Sequence, residues 1–530
     1  MHKALKLLPL LALLPLPAAR AQETPFFGEV MDVQVINVEA VVTRRGQRVH
    51  GLKKEDFRLL VDKVEVPIDY FEEAGSPGSP PPGINYLVFL DNSFSLPARR
   101  DPALEKLRIS LAQLRPEDRM AIVAYDGRRL EMISPSTSDR LKLQAAVAEA
   151  RKMPAYGLQR RSEANRAMAL SVDTTRPSGG SFAGIGFDGA GRSQAFELEA
   201  GQELYGRVER LSVAAASAMR GFQGGDGRKV MMLYSGGIPI NRTATPLIVP
   251  NRGPQIRTFD RADQIYSTLL EAANRLGYTV YPIDIGADAM TVNLPTAAVR
   301  SIEEQQMLRE ANFQEQGFNE DVIADVASAT GGVPIFDGAR LPAFERVQED
   351  LDTYYTLGFR PTFKGDDRDY DLKIEVLRKD AKVRTRRGFT DLSRDVQLDL
   401  QVESAHLFDA PLPADASFGI RTGAPRPEGS ARMSFSAVFE IPADQLSWRR
   451  EAGQNVASPE LRIVASDDQG KSVDVPRQVI DLWLPGEIQR GQKALYELSL
   501  KLRRRPHRLL VTLYDPPTGR LLAQKISVSP

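Results

Sequence analysis

The sequence predicts an α/β protein: a doubly wound, mostly parallel sheet flanked by a small N-terminal β module and a C-terminal β-sandwich. Three observations predict it. Between Ile84 and Asp352, short apolar runs alternate with amphipathic helical stretches, the pattern of strands buried on both faces beneath helices. Ahead of them, Gly75-Ser76-Pro77-Gly78-Ser79-Pro80-Pro81-Pro82-Gly83 favours extended, solvated backbone and reads as a linker over 75–83. Beyond Ser393 the chain carries apolar runs of strand length divided by turn residues, with no long helical period.

The chain opens on a basic start (His2, Lys3, Lys6), an apolar run from Leu7 to Leu16 and the small residues Ala19 and Ala21 before Gln22. This reads as a signal peptide over 1–21, and its apolar run, interrupted by Pro9 and Pro15, is too short to span a bilayer. The expected location is therefore exported, periplasmic or extracellular, with no transmembrane span downstream. The absence of cysteine excludes disulfides, thiolate metal sites and a lipidated cysteine. Lys plus Arg and Asp plus Glu each number 69, so no net field favours nucleic acid.

Residues 22–74 read as the small β module. Val33–Ala40 alternates in the strand period, a turn follows at Arg44-Arg45-Gly46-Gln47, and Arg58–Asp62 and Val64–Phe71 are further strands. Residues 84–392 form the α/β unit. Its strands are Asn85–Leu90, Met120–Tyr125, Lys229–Tyr234 and Thr279–Ile283. Its helices are Ala98–Leu114, Asp139–Arg151, Gln202–Arg220, Arg261–Leu276, Asn319–Ala329 and Leu341–Asp352. Two stretches without period, about 153–200 and 241–260, read as surface insertions. The unit closes on a strand Tyr354–Phe359 and a terminal hairpin of Tyr370–Leu377 with Lys382–Phe389. Residues 393–530 read as the sandwich, with strands at Val396–Val402, Met433–Ile441, Leu461–Ala465, Val479–Leu484 and Leu509–Tyr514.

The segment with most chemical content is Asp91-Asn92-Ser93-Phe94-Ser95, directly after the first α/β strand. In such sheets ligands bind outside the carboxyl ends of the strands. Asp91, Ser93 and Ser95 supply one carboxylate and two hydroxyls at alternate positions, a hard-oxygen set suited to Mg²⁺ or Mn²⁺.

Strand, D-x-S-x-S, helix, strand, helix, strand in this order resembles a von Willebrand factor type A domain with its metal-ion-dependent adhesion site. The wider arrangement is similar to a bacterial group related to that domain. It shares G-L-K-K-E-D-F at 51–57, A-T-G-G at 329–332, D-L-D-T-Y-Y-T-L-G-F at 350–359 and R-R-G-F at 386–389; the resemblance covers roughly residues 30 to 390. It implies recognition of a protein partner whose acidic side chain completes the sphere of a cation held by Asp91, Ser93 and Ser95. Two departures stand out. The third-loop aspartate is replaced by Gly236 within Ser235-Gly236-Gly237, and the second-loop threonine has no counterpart in register at Tyr156-Gly157-Leu158-Gln159, with Ser162, Thr174 or Thr175 as substitutes. Two readings stay open: a weak cation site, or a remnant in which Asp91 and the hydroxyls cap a helix and satisfy turn amides.

A binding protein is expected, with a metal-independent structural or assembly protein of the cell envelope as the alternative. The histidines are His2, His50, His406 and His507, so the α/β unit holds no histidine base for a nucleophile and no histidine zinc site. An enzyme is the further alternative, with acid/base work by carboxylates at strand ends such as Asp126 or Asp284, although these read more simply as turn or capping residues. Gly184-Ile185-Gly186-Phe187-Asp188-Gly189 matches a dinucleotide string in letters but follows no strand. Arg503-Arg504-Arg505 with Arg508 reads as a solvated hairpin tip.

Overall fold

The computed structural model of the chain describes residues 35–75, 82–157, 206–222, 227–236, 245–249, 253–257, 266–286, 320–360, 365–407, 414–451, 453–467 and 472–530, with Gln159 and Leu412. The signal segment 1–21, the strings at 162–189 and most of the linker lie outside the described residues. No helix among them is long and apolar enough to cross a membrane. The protein is mixed α/β with several antiparallel sheets.

Five strands precede the linker: β1 (Ile36–Arg44), β2 (Gln47–Arg48), β3 (Phe57–Val61), β4 (Val64–Val66) and β5 (Tyr70–Ala74). Alternation fixes their faces, because Val38, Ala40 and Val42 of β1 and Phe57, Leu59 and Val61 of β3 all point into one core. The single strand expected over Val64–Phe71 is two. Pro67 has no N–H to continue a ladder, and the chain crosses there from β4, paired with β3, to β5 in another sheet.

After the linker come β6 (Ile84–Asp91), α1 (Pro97–Ser110), β7 (Arg119–Tyr125), β8 (Leu130–Thr137) and α2 (Arg140–Lys152). A helix over 206–221, α3, then leads to β9 (Arg228–Ser235), β10 (Thr245–Val249), β11 (Gly253–Arg257), α4 (Ser267–Leu276) and β12 (Tyr278–Asp284). Helices α5, over 320–329, and α6 (Ala343–Leu351) follow among the described residues. Five of these strands form one sheet in the order β12-β9-β6-β7-β8, and among the described residues β10 and β11 pair only with each other. Neighbours are parallel except β8, an antiparallel edge strand that the sequence reading did not assign. Tyr86, Val88 and Leu90 pack against α1, α2 and α6 through Leu104, Val147 and Phe344. Leu87 and Phe89 pack on the opposite face against α3, α4 and α5 through Leu211, Leu269 and Val326. Helices thus cover both faces, which is why the strands are apolar at nearly every position. Part of the insertion expected at 241–260 is the hairpin β10–β11.

The chain then returns to where it began. β13 (Tyr354–Phe359), β14 (Asp369–Val376), β15 (Ala381–Arg384) and β16 (Gly388–Thr390) make no hairpin on the α/β unit. β13 lies between β1 and β5, β15 pairs with β1, and β14 pairs with β3 and β16. The N-terminal strands and the expected terminal hairpin are therefore one two-sheet module, entered and left through the paired strands β5 and β13, with the α/β unit inserted between them. Asp350 at the end of α6 ties the two together: it accepts from Arg384 (2.6 Å), Arg48 (2.5 Å) and the Tyr281 hydroxyl (2.8 Å).

In the C-terminal region, Arg432–Pro442 pairs with Lys493–Arg503, while Glu460–Asp467 lies between Ser472–Val479 and His507–Asp515. Phe435, Phe439, Ile463, Val511 and Leu513 share one core between these sheets, as in a sandwich. The strand expected at Val396–Val402 is instead part of a helix, α7 (Arg394–Leu407). V-Q-L-D-L-Q-V alternates, but the buried apolar set is Leu398, Val402 and Ala405, spaced by four and three as one helical face. That face packs on the sandwich against Val464, Leu510, Tyr514 and Leu521.

Candidate functional site

The parallel strands β9, β6 and β7 end together, and the loop after β6 crosses their carboxyl edge. It begins at Asp91 because β6 is central and its last residue is still paired, with Tyr125 of β7. Asp91 then turns the chain: its Oδ1 accepts from Ser93 N (2.9 Å), Ser93 Oγ (2.5 Å) and Phe94 N (3.3 Å), an Asx-type turn strengthened by a hydroxyl. Its Oδ2 accepts from Ser235 Oγ (2.7 Å) at the end of β9. The Ser95 hydroxyl donates to the Asp91 carbonyl. Asp91, Ser93 and Ser95 are brought together as the sequence predicts, yet their exposures are 1%, 5% and 0%.

Neighbouring segments hold this loop from every side. Asn92 N donates to Tyr125 O (2.8 Å), Tyr156 N to Asn92 O (2.8 Å) and Gly157 N to Ser95 O (3.0 Å). Arg100, buried in α1, donates from Nη1 to Asn92 Oδ1 (2.9 Å) and from Nη2 to Arg151 O (3.0 Å). Burial is the largest influence on the Asp91 carboxyl and raises its pKa, against the lowering effect of its Ser93 and Ser235 hydrogen bonds. The Tyr266 phenol is pushed up first by burial and then by the Asp91 charge.

Three glycines close the loop over. A Cβ on Gly157 would lie 2.5 Å from the carbonyls of Phe94 and Ser95, one on Gly236 would overlap Phe94 O and lie 2.8 Å from Ser95 Cα, and one on Gly286 would overlap Gly236 O. Gly236 is thus more than a missing carboxylate: the backbone of the first loop occupies the space a side chain there would need. Ser235, Gly157 and Gly286 were not singled out from sequence. The substitutes Ser162, Thr174 and Thr175 lie outside the described residues.

Among the described residues, this donor set does not fit a divalent cation. Mg²⁺ and Mn²⁺ take oxygens in an octahedral sphere with a position open to an incoming ligand. Here both oxygens of the one carboxylate already accept from protein donors, the Ser93 and Ser95 hydroxyls are turned to Asp91 Oδ1 and to the Asp91 carbonyl, and Gly236 leaves no room for a second carboxylate.

The other residues weighed from sequence take structural places. Asp126 Oδ1 accepts from Arg128 N and Arg129 N (both 2.7 Å) in the β7–β8 turn. Asp284 Oδ1 accepts from Gly286 N (2.7 Å), and burial raises its pKa. His50 is exposed beside Glu73, His406 bonds Ser466 (2.9 Å) and His507 bonds Arg505 O (2.8 Å). Arg504 lies in the bend that crosses from Lys493–Arg503 in one sheet to His507–Asp515 in another, so the basic run is not the expected hairpin tip, and Arg503 pairs with Asp467 (3.2 Å).

No protein-family model matches the chain, and neither does any curated protein. Among solved structures, the pilus adhesin SpaC from Lactobacillus rhamnosus GG aligns at 9% identity over 89% of this chain and 60% of that one, with a TM-score of 0.26. A superoxide reductase from Nanoarchaeum equitans aligns at 12% identity over 21% of this chain and 92% of that one, with a TM-score of 0.14. A Bacteroides uniformis β-glucuronidase aligns at 12% identity over 34% of this chain and 19% of its own length, with a TM-score of 0.16. Scores this low describe partial overlap and carry no argument about function.

Proposed function

We propose that the chain is an exported partner-binding protein whose α/β unit is of the von Willebrand factor type A kind, doubly wound, and that it recognises a protein partner without a cation at Asp91. The family reading is supported by the D-x-S-x-S loop following the central strand of a mostly parallel sheet with helices on both faces. Export rests on the basic, apolar and small-residue order of residues 1–21. The observation that carries the cation-free reading is the engagement of both Asp91 oxygens by Ser93, Phe94 and Ser235. In this reading Asp91 braces the carboxyl edge of the sheet, and recognition uses the surface that the braced loops present.

Capture of partners from an envelope extract by the tagged full chain, with Mg²⁺ and with chelator, tests the proposal. The expected result is one specific partner retained equally in both conditions. Capture lost with chelator and restored by Mg²⁺ would contradict the cation-free mechanism. Absence of any specific partner would contradict partner binding itself.

A further inference from the structure

Basic and acidic residues balance over the whole sequence, yet one end of an outer face of the C-terminal sandwich is basic. The strand Arg432–Pro442 pairs with Arg426–Glu428 on one side and with Lys493–Arg503 on the other. The register sets two rows across them. Arg426 lies opposite Ser434 and Ser434 opposite Lys501; two residues along, Glu428 lies opposite Arg432 and Arg432 opposite Arg503. Residues two apart in a strand share a face. Met433 and Leu502, between the rows, point into the core, and Arg426, Arg432 and Lys501 are exposed on the other side. The bend at Arg504 continues this edge, its N–H donating to Ala431 O (2.9 Å).

A charged sheet face ordinarily carries its own counter-charges, as the opposite end of this one does: there Glu440 pairs with both Arg421 (2.5 Å) and Lys493 (2.8 Å). At the basic end Lys501 is answered by Glu428 (3.1 Å) and Arg503 by the buried Asp467 (3.2 Å). Arg426, Arg432 and Arg504 have no ion-pair partner among the described residues. Arg432 also stands directly across from Arg503, and like charges directly opposite each other destabilise a sheet. Core packing does not require a cation on the solvent face, whereas an anion bound across the pair would relieve the repulsion.

The surroundings select the kind of anion. None of the exposed large apolar side chains lies in the two rows. The face therefore has neither the aromatic platforms that stack nucleic-acid bases nor the apolar side chains that enter a bilayer. Hydroxyls continue it instead: Ser434 sits between Arg426 and Lys501, and Ser436 lies opposite Ser499 in the next row. We propose that this end of the sandwich binds an acidic polysaccharide, its uronate carboxylates held by the Arg426 and Arg432 guanidiniums and its ring hydroxyls by the serines. The inference is independent of the partner-binding proposal and of the state of Asp91.

Calorimetric titration of the full chain with polygalacturonate, and with the same polymer methyl-esterified, at low salt and about pH 7, where uronates are ionised, tests it. Polygalacturonate is expected to saturate and to bind at least about tenfold more tightly than the uncharged ester, a difference of about 1.4 kcal/mol. Its affinity should fall as salt is raised. Arg426→Gln combined with Arg432→Gln is expected to weaken binding about tenfold or more. Arg421→Gln combined with Lys493→Gln removes the same charge from the opposite end of the face and is expected to weaken it less than about twofold. Thermal unfolding curves check that both variants fold. No saturation by polygalacturonate, equal affinity for the ester, equal effects of the two double variants, or tighter binding of duplex DNA, poly-glutamate or phosphatidylglycerol vesicles would overturn it.

Discussion

The two ends of β6 treat a buried polar side chain in opposite ways. At the carboxyl end, Asp91 is 1% exposed and both its carboxylate oxygens accept hydrogen bonds. Two residues from the amino end, Tyr86 is 3% exposed and its hydroxyl has no partner among the described residues. The strand and the depth of burial are the same, so the difference lies in what the surrounding elements supply. Around Asp91 the chain brings a hydroxyl from β9 and amides from its own turn. Around Tyr86 the described residues bring no partner to the hydroxyl. A fully satisfied buried group braces the fold, whereas an unsatisfied one carries an uncompensated desolvation cost.

Removing the braced group should have the largest effect. Asp91→Ala leaves Ser93 N, Ser93 Oγ, Phe94 N and Ser235 Oγ without their shared acceptor and is expected to cost about 4 kcal/mol in denaturant unfolding. A loss under about 1 kcal/mol would show that the loop does not depend on it. The loss should also vary with pH. Because burial raises the native pKa of Asp91 above its unfolded value, its titration contributes stability that is present below the unfolded value of about 3.9 and lost as pH rises through the native one. Alanine does not titrate, so the wild-type advantage should be greater at about pH 4 than at about pH 8; the opposite trend would mean that the hydrogen bonds outweigh burial.

Filling the glycine contact comes next. Gly236→Ala sets a methyl against Phe94 O and Ser95 Cα and is expected to cost about 2 kcal/mol in the same assay, within the range for overpacking. A neutral outcome would mean the loop yields easily, and the third-loop position would again be open to a carboxylate. The smallest effect should be at the other end of the strand. Tyr86→Phe removes a hydroxyl that makes no bond and is expected to change stability by less than about 0.5 kcal/mol, in the stabilising direction. A loss above about 1 kcal/mol would reveal a partner for that hydroxyl and end the contrast.

Much of this comparison could be read in the sequence, and the rest depends on distant contacts. The strand before Asp91 and the helix after it are local features, and each is where the pattern puts it. That Ser235 would turn its hydroxyl onto Asp91 depends on two strands side by side but 144 residues apart. Likewise β1 and β13 each read plainly as strands, but nothing local reveals that Val38 lies opposite Leu357, so one module looked like two pieces. The helix α7 was misread because Val396, Leu398, Leu400 and Val402 fit a period of two, and only the burial of Ala405 with Leu398 and Val402 settles a period near 3.6. Tyr86 sits within an apolar strand, and its sequence neighbours do not indicate whether its hydroxyl finds a partner.

The most direct test of Asp91 as a brace and not a cation ligand is thermal unfolding of the full chain in millimolar Mn²⁺ or Mg²⁺ against the same protein in chelator. The account predicts superimposable curves, because a cation that does not bind the native state adds nothing to its stability. A saturable rise in melting temperature with metal, reversed by chelator and absent in Asp91→Asn, would contradict it.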